Sequence, residues 1–397
     1  MPKTFTRDAE TWLAYLTLSF YGFLLNILGP VTPYLRDEFK ISYSTAGFVF
    51  SAFAIGMLIS GLFGERLQNR WGYLRTLWYS AFGMAAGCLV FLSGQTAATA
   101  ILGTFLMGTL GTTIVSSVNS RIAQKYQQQS AIALTEMNVV ASFMAMIAPL
   151  LVGFLAQTLF GWRTALLLGL AGLALLAAVF FRPAVFMKVN LPIKHAATAP
   201  KTRLPWVYWL YWTIIFLTVS IEFCFVYWGS DFLLAVGGLP RESAVLSLSL
   251  FLGAMLIGRG LGSRILRHFS ASVVLRSSIG IVTLGYLFFW TALSPWLSIL
   301  GLFIAGLGVA NLYPSTISLA LGSVGDELSA QASARTVLAS GMAILCLPLL
   351  LGALADEFGM KSAFLIVPVL LVLAMSLNLT VTKHVKSEKA RLLNIKE

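Results

Sequence analysis

The sequence predicts an all-α membrane protein with twelve transmembrane helices in two pseudo-symmetric six-helix bundles. Three observations carry this reading. Hydrophobic residues make up 58% of the 397-residue chain and charged residues only 11%, against about 25% charged in a soluble domain. Lipid is the solvent that suits such a surface. The apolar residues fall into twelve runs, each near the roughly 20 residues that a helix needs to cross hydrocarbon. Lys and Arg gather in alternate loops between those runs, as cytoplasmic loops do.

The first run, 11–33, is span-length and has no small-residue cleavage site behind it, so it reads as a membrane helix and not a removable signal. The second, 43–64, ends at Glu65-Arg66, and the third, 76–95, follows Arg70 and Arg75. The fourth, 98–120, ends at Arg121 and Lys125, and the fifth, 131–155, leads to Phe160-Gly161-Trp162-Arg163. The sixth, 162–181, stops at Arg182, where the longest polar stretch begins. Six more runs follow at 206–232, 243–265, 271–293, 296–322, 330–353 and 361–382. Gly and Pro inside these runs do not veto helix, because membrane helices tolerate them.

With the N-terminus in the cytoplasm, 22 of the 27 Lys and Arg residues fall on the cytoplasmic side. The other face receives only Arg36, Lys40, Arg163, Arg241 and Lys361. This bias predicts both termini inside and an even number of spans. The expected location is the plasma membrane, or the inner membrane if the source is bacterial. The stretch 182–205 holds basic residues and prolines but no acid. It reads as a cytoplasmic linker between a bundle at 1–181 and a bundle at 206–397.

The halves repeat. Pro149-Leu150-Leu151-Val152-Gly153 returns as Pro348-Leu349-Leu350-Leu351-Gly352, and Phe160-Gly161-Trp162-Arg163 as Phe358-Gly359-Met360-Lys361. Gly61 with Arg66 matches Gly258 with Arg264 at nearly the same offset. Parallel six-helix repeats are a known transporter plan, with the site between them near the bilayer midplane.

On these features the chain resembles the major facilitator superfamily: six spans, a basic central loop, six spans, and a loop motif between the second and third. That family carries Gly-x-x-x-Asp-Arg-x-Gly-Arg-Arg or similar there. Here the loop runs from Gly61 to Arg75, with two alignments open. Either Glu65-Arg66 takes the acid-arginine place four residues after Gly61, or Asn69-Arg70-Trp71-Gly72 takes the Asp-Arg-x-Gly place. The resemblance implies that this loop latches one face shut. Gly61 would let helices approach closely, and Glu65, Arg66 and Arg70 would bridge to helix ends and carboxylates. Arg121, Glu136, Arg259 and Arg335, at cytoplasmic helix ends, are further gate candidates, with snorkelling charges as the bland alternative. Two drug-antiporter signatures are missing: an Arg early in the fourth span, and a Gly-Pro-x-x-Gly-Gly run in the fifth, where the chain has Ala148-Pro149-Leu150-Leu151-Val152-Gly153.

A charge at membrane depth is costly and functional by default. Glu222 is the clearest case, placed mid-way along the seventh span. A carboxyl there can take and release a proton, or pair with a solute. The resemblance implies a cavity lined by spans 1, 4, 7 and 10. Their mid-span polar residues are Tyr21 and Asn26, Thr112 and Ser116, Glu222 and Tyr227, Asn311 and Tyr313. Each could equally be an interhelical hydrogen-bonding residue. Gly306, Gly308 and Pro314 beside Asn311 predict an interrupted helix there.

Other classes are disfavoured. The net charge of +12 does not point to nucleic acid, because the basic residues sit in short loops between spans. There is no phosphate-binding Gly-x-x-x-x-Gly-Lys-Ser/Thr loop. The three histidines, His195, His268 and His384, fall in separate loops, and the three cysteines fall in apolar runs, so no metal site or disulfide framework is expected. The expectation is therefore a secondary transporter without cofactor: a lipid-embedded monomer that moves a small-molecule substrate, with a proton as the coupling ion. Multidrug efflux is the alternative. A non-transporting receptor or scaffold comes third, and an intramembrane enzyme lacks a nucleophile–base pair.

Overall fold

The computed structural model describes residues 6–181 and 203–394. The expected linker at 182–205 therefore lies almost wholly outside the described residues. Twelve helices among the described residues are long and apolar enough to cross a membrane. They are α1 (Ala9–Phe39), α2 (Tyr43–Trp71), α3 (Tyr73–Ser93), α4 (Ala97–Tyr126), α5 (Ser130–Leu155) and α6 (Arg163–Phe180). After the linker come α7 (Trp206–Ala235), α8 (Arg241–Ile265), α9 (Ala271–Thr291), α10 (Pro295–Gly322), α11 (Asp326–Phe358) and α12 (Met360–His384). Twelve crossings place the start of α1 and the end of α12 on one face, called here the terminal face. Consistent with this, the Trp206 ring at the start of α7 meets His384 of α12 at 4.5 Å.

Local chemistry accounts for the irregularities. In α1, regular helix stops at Asn26 and resumes at Leu28. Pro30 has no N–H to give the Asn26 carbonyl, and its ring crowds that carbonyl, so the helix bends there. α4 breaks at Thr112, where the bond pattern tightens to Val115 N–H donating to the Thr112 carbonyl at 3.0 Å. α10 differs from expectation: it runs unbroken from Pro295 to Gly322 with Pro314 inside. A membrane helix tolerates one lost backbone bond; the interruptions are in α1 and α4. Gly72 separates α2 from α3 with φ 78°, a conformation that side chains with a Cβ resist.

The first bundle packs α2 and α3 against α4, and α1 against α5. The second packs α9 along α10, and α7 against α10, α11 and α12. Its core holds an aromatic cluster in which the rings of Phe232 and Phe289 stack at 4.3 Å and Phe364 closes at 4.8 Å. Such pairs contribute about 0.5–1.5 kcal/mol each beyond burial.

The bundles meet through two matched helix pairs, α2 on α11 and α5 on α8. The repeat seen in the sequence supplies both contacts. A Cβ added at Gly352 would lie 2.6 Å from the Tyr43 carbonyl oxygen. One at Gly153 would lie 3.1 Å from the Glu242 carbonyl oxygen and 2.6 Å from the Leu246 side chain. Each glycine thus lets the start of a helix from the other bundle approach its backbone.

Candidate functional site

The bundles are closed against each other on the face opposite the termini. There Arg36 of α1 donates from Nη1 to Asp231 of α7 at 2.8 Å, and the Asp231 side chain is fully buried. Arg241 of α8 reaches Asp37 of α1 at 3.3 Å. Asp356, near the end of α11, accepts from Tyr43 N–H and Ser44 N–H at 2.8 Å each and from the Ser44 hydroxyl at 2.5 Å. That is a carboxylate on the N-terminus of α2, where the helix dipole favours negative charge. Beneath these charges lies an aromatic plug. Phe50 stacks on Tyr227 with centroids 4.1 Å apart, and Trp228 meets Phe50 and Tyr43 edge-on. The Trp228 indole N–H donates to the Pro348 carbonyl at 2.8 Å.

The terminal face is different. Its ion pairs among the described residues, Arg7–Glu136, Arg121–Glu10 and Lys125 with Asp8 and Glu10, all stay within the first bundle. Arg66 and Arg70 are exposed at the end of α2, and among the described residues neither forms an ion pair with the second bundle. The Glu65 side chain lies outside what is described. A Cβ at Gly61 would meet nothing within 4 Å, so the close approach expected of Gly61 is not made in this state. Arg335 lies over the Trp209 ring at 5.2 Å, within the second bundle.

Between the bundles, under the plug, is a cavity of about 240 Å³. Tyr21 and Asn26 of α1 and Asn138 and Ser142 of α5 face it from one side, and Glu222 of α7 and Arg259 of α8 from the other. Arg259 Nη1 donates to Ser142 Oγ at 2.9 Å, and Nη2 stands 3.6 Å from Glu222 Oε1. Asn26 and Asn138 each give one N–H to a carbonyl of their own helix, Gly22 and Leu134, at 2.8 Å, which leaves the cavity their amide oxygens and second N–H groups, the hydroxyls and one acid–base pair. A larger groove of about 340 Å³ between α1, α5 and α6 is lined almost wholly by apolar side chains. It holds no charge and lies away from the bundle interface, so the smaller cavity is the candidate site.

The predicted site residues divide. Glu222, Tyr21 and Asn26 line the cavity. Thr112 lies near Tyr21 with its hydroxyl unpartnered, and Tyr313 of α10 lies near Glu222 and near Ser340 and Thr336 of α11. Tyr227 belongs to the plug, five residues beyond Glu222 and about 7.5 Å nearer the closed face at 1.5 Å per residue. Asn311 donates to the Gly258 carbonyl at 3.0 Å, which ties α10 to α8. Ser116 donates to the Thr113 carbonyl of its own helix. Arg259, expected at a gate, reaches the cavity instead. Sequence reasoning missed Asn138 and Ser142, polar residues of α5 that the chosen four spans left out. It also passed over Arg36, Asp37, Asp231, Arg241 and Asp356, whose charges near span ends look ordinary.

The sequence profile of the Major Facilitator Superfamily matches residues 14–336 and 246–395. The chain belongs to this superfamily. It is similar to the uncharacterized transporter YycB of Bacillus subtilis (strain 168), at 27% identity over 390 residues and 90% of each chain. It is similar at 25% identity to a glucose/galactose transporter of Brucella abortus biovar 1 (strain 9-941), over 89% of this chain and 90% of that one. Among solved structures, the nucleoside transporter NupG superposes with TM-score 0.72 at 15% identity, over 94% of this chain and 98% of that one. A bacterial homolog of the human lysosomal transporter Spinster superposes with TM-score 0.69 at 14% identity, over 95% and 97%. These two share the fold. As a superfamily member with transporter relatives, the protein is a multi-pass membrane transporter of a small-molecule substrate and not an enzyme.

Proposed function

We propose that this transporter is a proton-coupled secondary carrier of a small polar organic solute. It works by alternating access between halves at 1–181 and 206–397, joined by the linker at 182–205. The Lys and Arg bias puts the terminal face in the cytoplasm, so the state described is closed outward and free of interbundle ion pairs inward among the described residues. One observation carries the reading: Glu222, at membrane depth, faces a cavity built from both bundles and not lipid. A carboxyl so placed can titrate against a wet cavity. Two amides, hydroxyls and a charge pair suit a polar solute better than a lipophilic drug, and the relative named for glucose and galactose supports this. The protein acts as a monomer, since each copy holds a complete cavity.

The test is uptake into proteoliposomes with a panel of neutral sugars, nucleosides and small carboxylates, with and without an acid-outside gradient. Glu222→Gln keeps size and hydrogen bonding but cannot titrate. It should abolish gradient-driven accumulation while leaving solute exchange measurable. Wild-type accumulation in that variant would make Glu222 structural and place coupling elsewhere.

A further inference from the structure

We infer that the transported solute is a monoanion, of carboxylate type, held by Arg259 while Glu222 carries the proton. This rests on the reading of the cavity just given and names its substrate class.

The first argument is where Arg259 points. It stands six residues before the end of α8, about 9 Å along the axis at 1.5 Å per residue. An arginine that close to an aqueous face ordinarily snorkels outward along its stem. This one turns into the cavity, to Ser142 of the opposite bundle and to Glu222. The second argument is that the pair is loose. At 3.6 Å the two groups attract but are not hydrogen-bonded. Among the described residues none donates to the Glu222 carboxyl. A guanidinium has five N–H donors in a planar fork, and here the hydrogen bond to Ser142 occupies one nitrogen. The Arg259 side chain is 39% exposed, so it is not fully enclosed by protein and has N–H donors left for a ligand. That shape matches a carboxylate, which takes two parallel N–H bonds.

The third argument is charge. The other polar groups facing the cavity are neutral: Tyr21, Asn26, Asn138 and Ser142. The titratable groups around Glu222 are therefore Arg259, Tyr21 and, from α10, Tyr313. Empty, with Glu222 ionised, the cavity carries no net charge. An anion entering then would meet the Glu222 carboxylate, and like charges at short range in a poorly solvated cavity repel strongly. A proton on Glu222 removes that repulsion and leaves Arg259 uncompensated. The anion restores neutrality. Both the empty form and the form holding proton plus anion are thus neutral, and these are the forms that can be enclosed at least desolvation cost. The proton alone or the anion alone leaves an unbalanced charge. One proton therefore moves with one anion, and transport carries no net current. A neutral solute moving with a proton would carry current.

The experiment uses the full chain in proteoliposomes, with labelled D-glucuronate, lactate and benzoate set against D-glucose. Glucuronate and glucose share a ring and differ by the carboxylate. An acid-outside gradient is imposed, with and without a potassium-valinomycin potential. At least one carboxylate should accumulate with the gradient, and its rate should change less than about twofold with the potential. Arg259→Gln should lower that rate at least about tenfold. Arg259→Lys, which keeps the charge and loses the fork, should fall between. Folding of each variant is checked by its melting temperature in detergent. As a reading independent of turnover, benzoate should raise the wild-type melting temperature more at pH 5 than at pH 8, and this difference should vanish in Glu222→Gln. Gradient-driven uptake of glucose but of no carboxylate, or carboxylate uptake that follows the potential, overturns the anion while leaving a proton-coupled carrier. Carboxylate uptake indifferent to both the gradient and Glu222→Gln overturns both readings.

Discussion

Replacing Asp356 with Asn should loosen the state closed at the face opposite the termini. Its carboxylate accepts three hydrogen bonds across the bundle interface, from Tyr43 N–H, Ser44 N–H and the Ser44 hydroxyl. Asn keeps the shape but offers one acceptor oxygen and turns an NH2 group toward backbone donors. Hydrogen bonds to a charged group contribute about 1.5–3 kcal/mol each when sheltered. This carboxylate is exposed, and solvent screens such contacts toward the low end of the range. A net loss of about 1–2 kcal/mol follows, which multiplies the open-to-closed ratio by about 5–30. A population of about 2% open at that face would rise to about 10–40%. The assay is double electron–electron resonance between spin labels at Leu159→Cys and Leu293→Cys, both highly exposed. They sit in the loops after α5 and α9, one on each bundle at the closed face. Cys88, Cys224 and Cys346 are replaced first. A longer distance component should grow in Asp356→Asn. An unchanged distribution would show that the three bonds do not bias the two states.

Other outcomes follow from the same geometry. Arg66→Ala with Arg70→Ala should lower turnover several-fold more than solute affinity, because these arginines would latch the terminal face only when it closes. Unaltered turnover would reduce them to topology signals. Gly352→Ala places a methyl against the Tyr43 carbonyl and should destabilise the closed state by about 1–3 kcal/mol through overpacking, seen as the same growth in the long distance. An unmoved distribution would mean that the contact is not needed for closure. Burial works to raise the Asp8 pKa, but bonds from Lys125 and Thr11 outweigh it and bring the carboxyl to about 2 from the usual 3.8. A depressed value means stability that is present above the unfolded pKa and lost as pH falls toward about 2. Asp8→Asn should therefore flatten the fall in melting temperature between pH 4 and 2, and an unchanged acid limb would count against this contact.

The fold was readable because length and charge asymmetry act on whole helices. All twelve helices begin close to the starts of the apolar runs, while α1, α2, α4 and α11 extend several residues past their ends, α1 through Tyr34 to Phe39. Glu222 was readable because a charge inside an apolar run has no cheap explanation. Arg259 was not, since six residues from a helix end the sequence is the same whether a side chain snorkels or turns inward. Only the placement of Ser142 and Glu222 separates the two. Asn311 shows the converse. An amide in a span reads as a site, but the nearby backbone of Gly258 offers it a carbonyl. The closure opposite the termini was hidden for another reason. Asp37, Asp231, Arg241 and Asp356 stand near span ends, where charge is normal, and their meaning lies in pairing across the interface.

The two edges of that closure are unequal. At the edge of α2 and α11, Asp356 grips a helix start in the other bundle. At the matching edge of α5 and α8, the repeat places Gln157, whose amide turns back to the Gly153 carbonyl of its own helix at 3.0 Å. The α2–α11 seam is clasped at its rim by the Asp356 carboxylate, whereas the α5–α8 seam is held deeper, where Arg259 of α8 donates to Ser142 of α5 at 2.9 Å. The two seams are thus fastened at different depths, α2–α11 at the closed rim and α5–α8 at the cavity, so parting the rim and parting the cavity walls break different bonds.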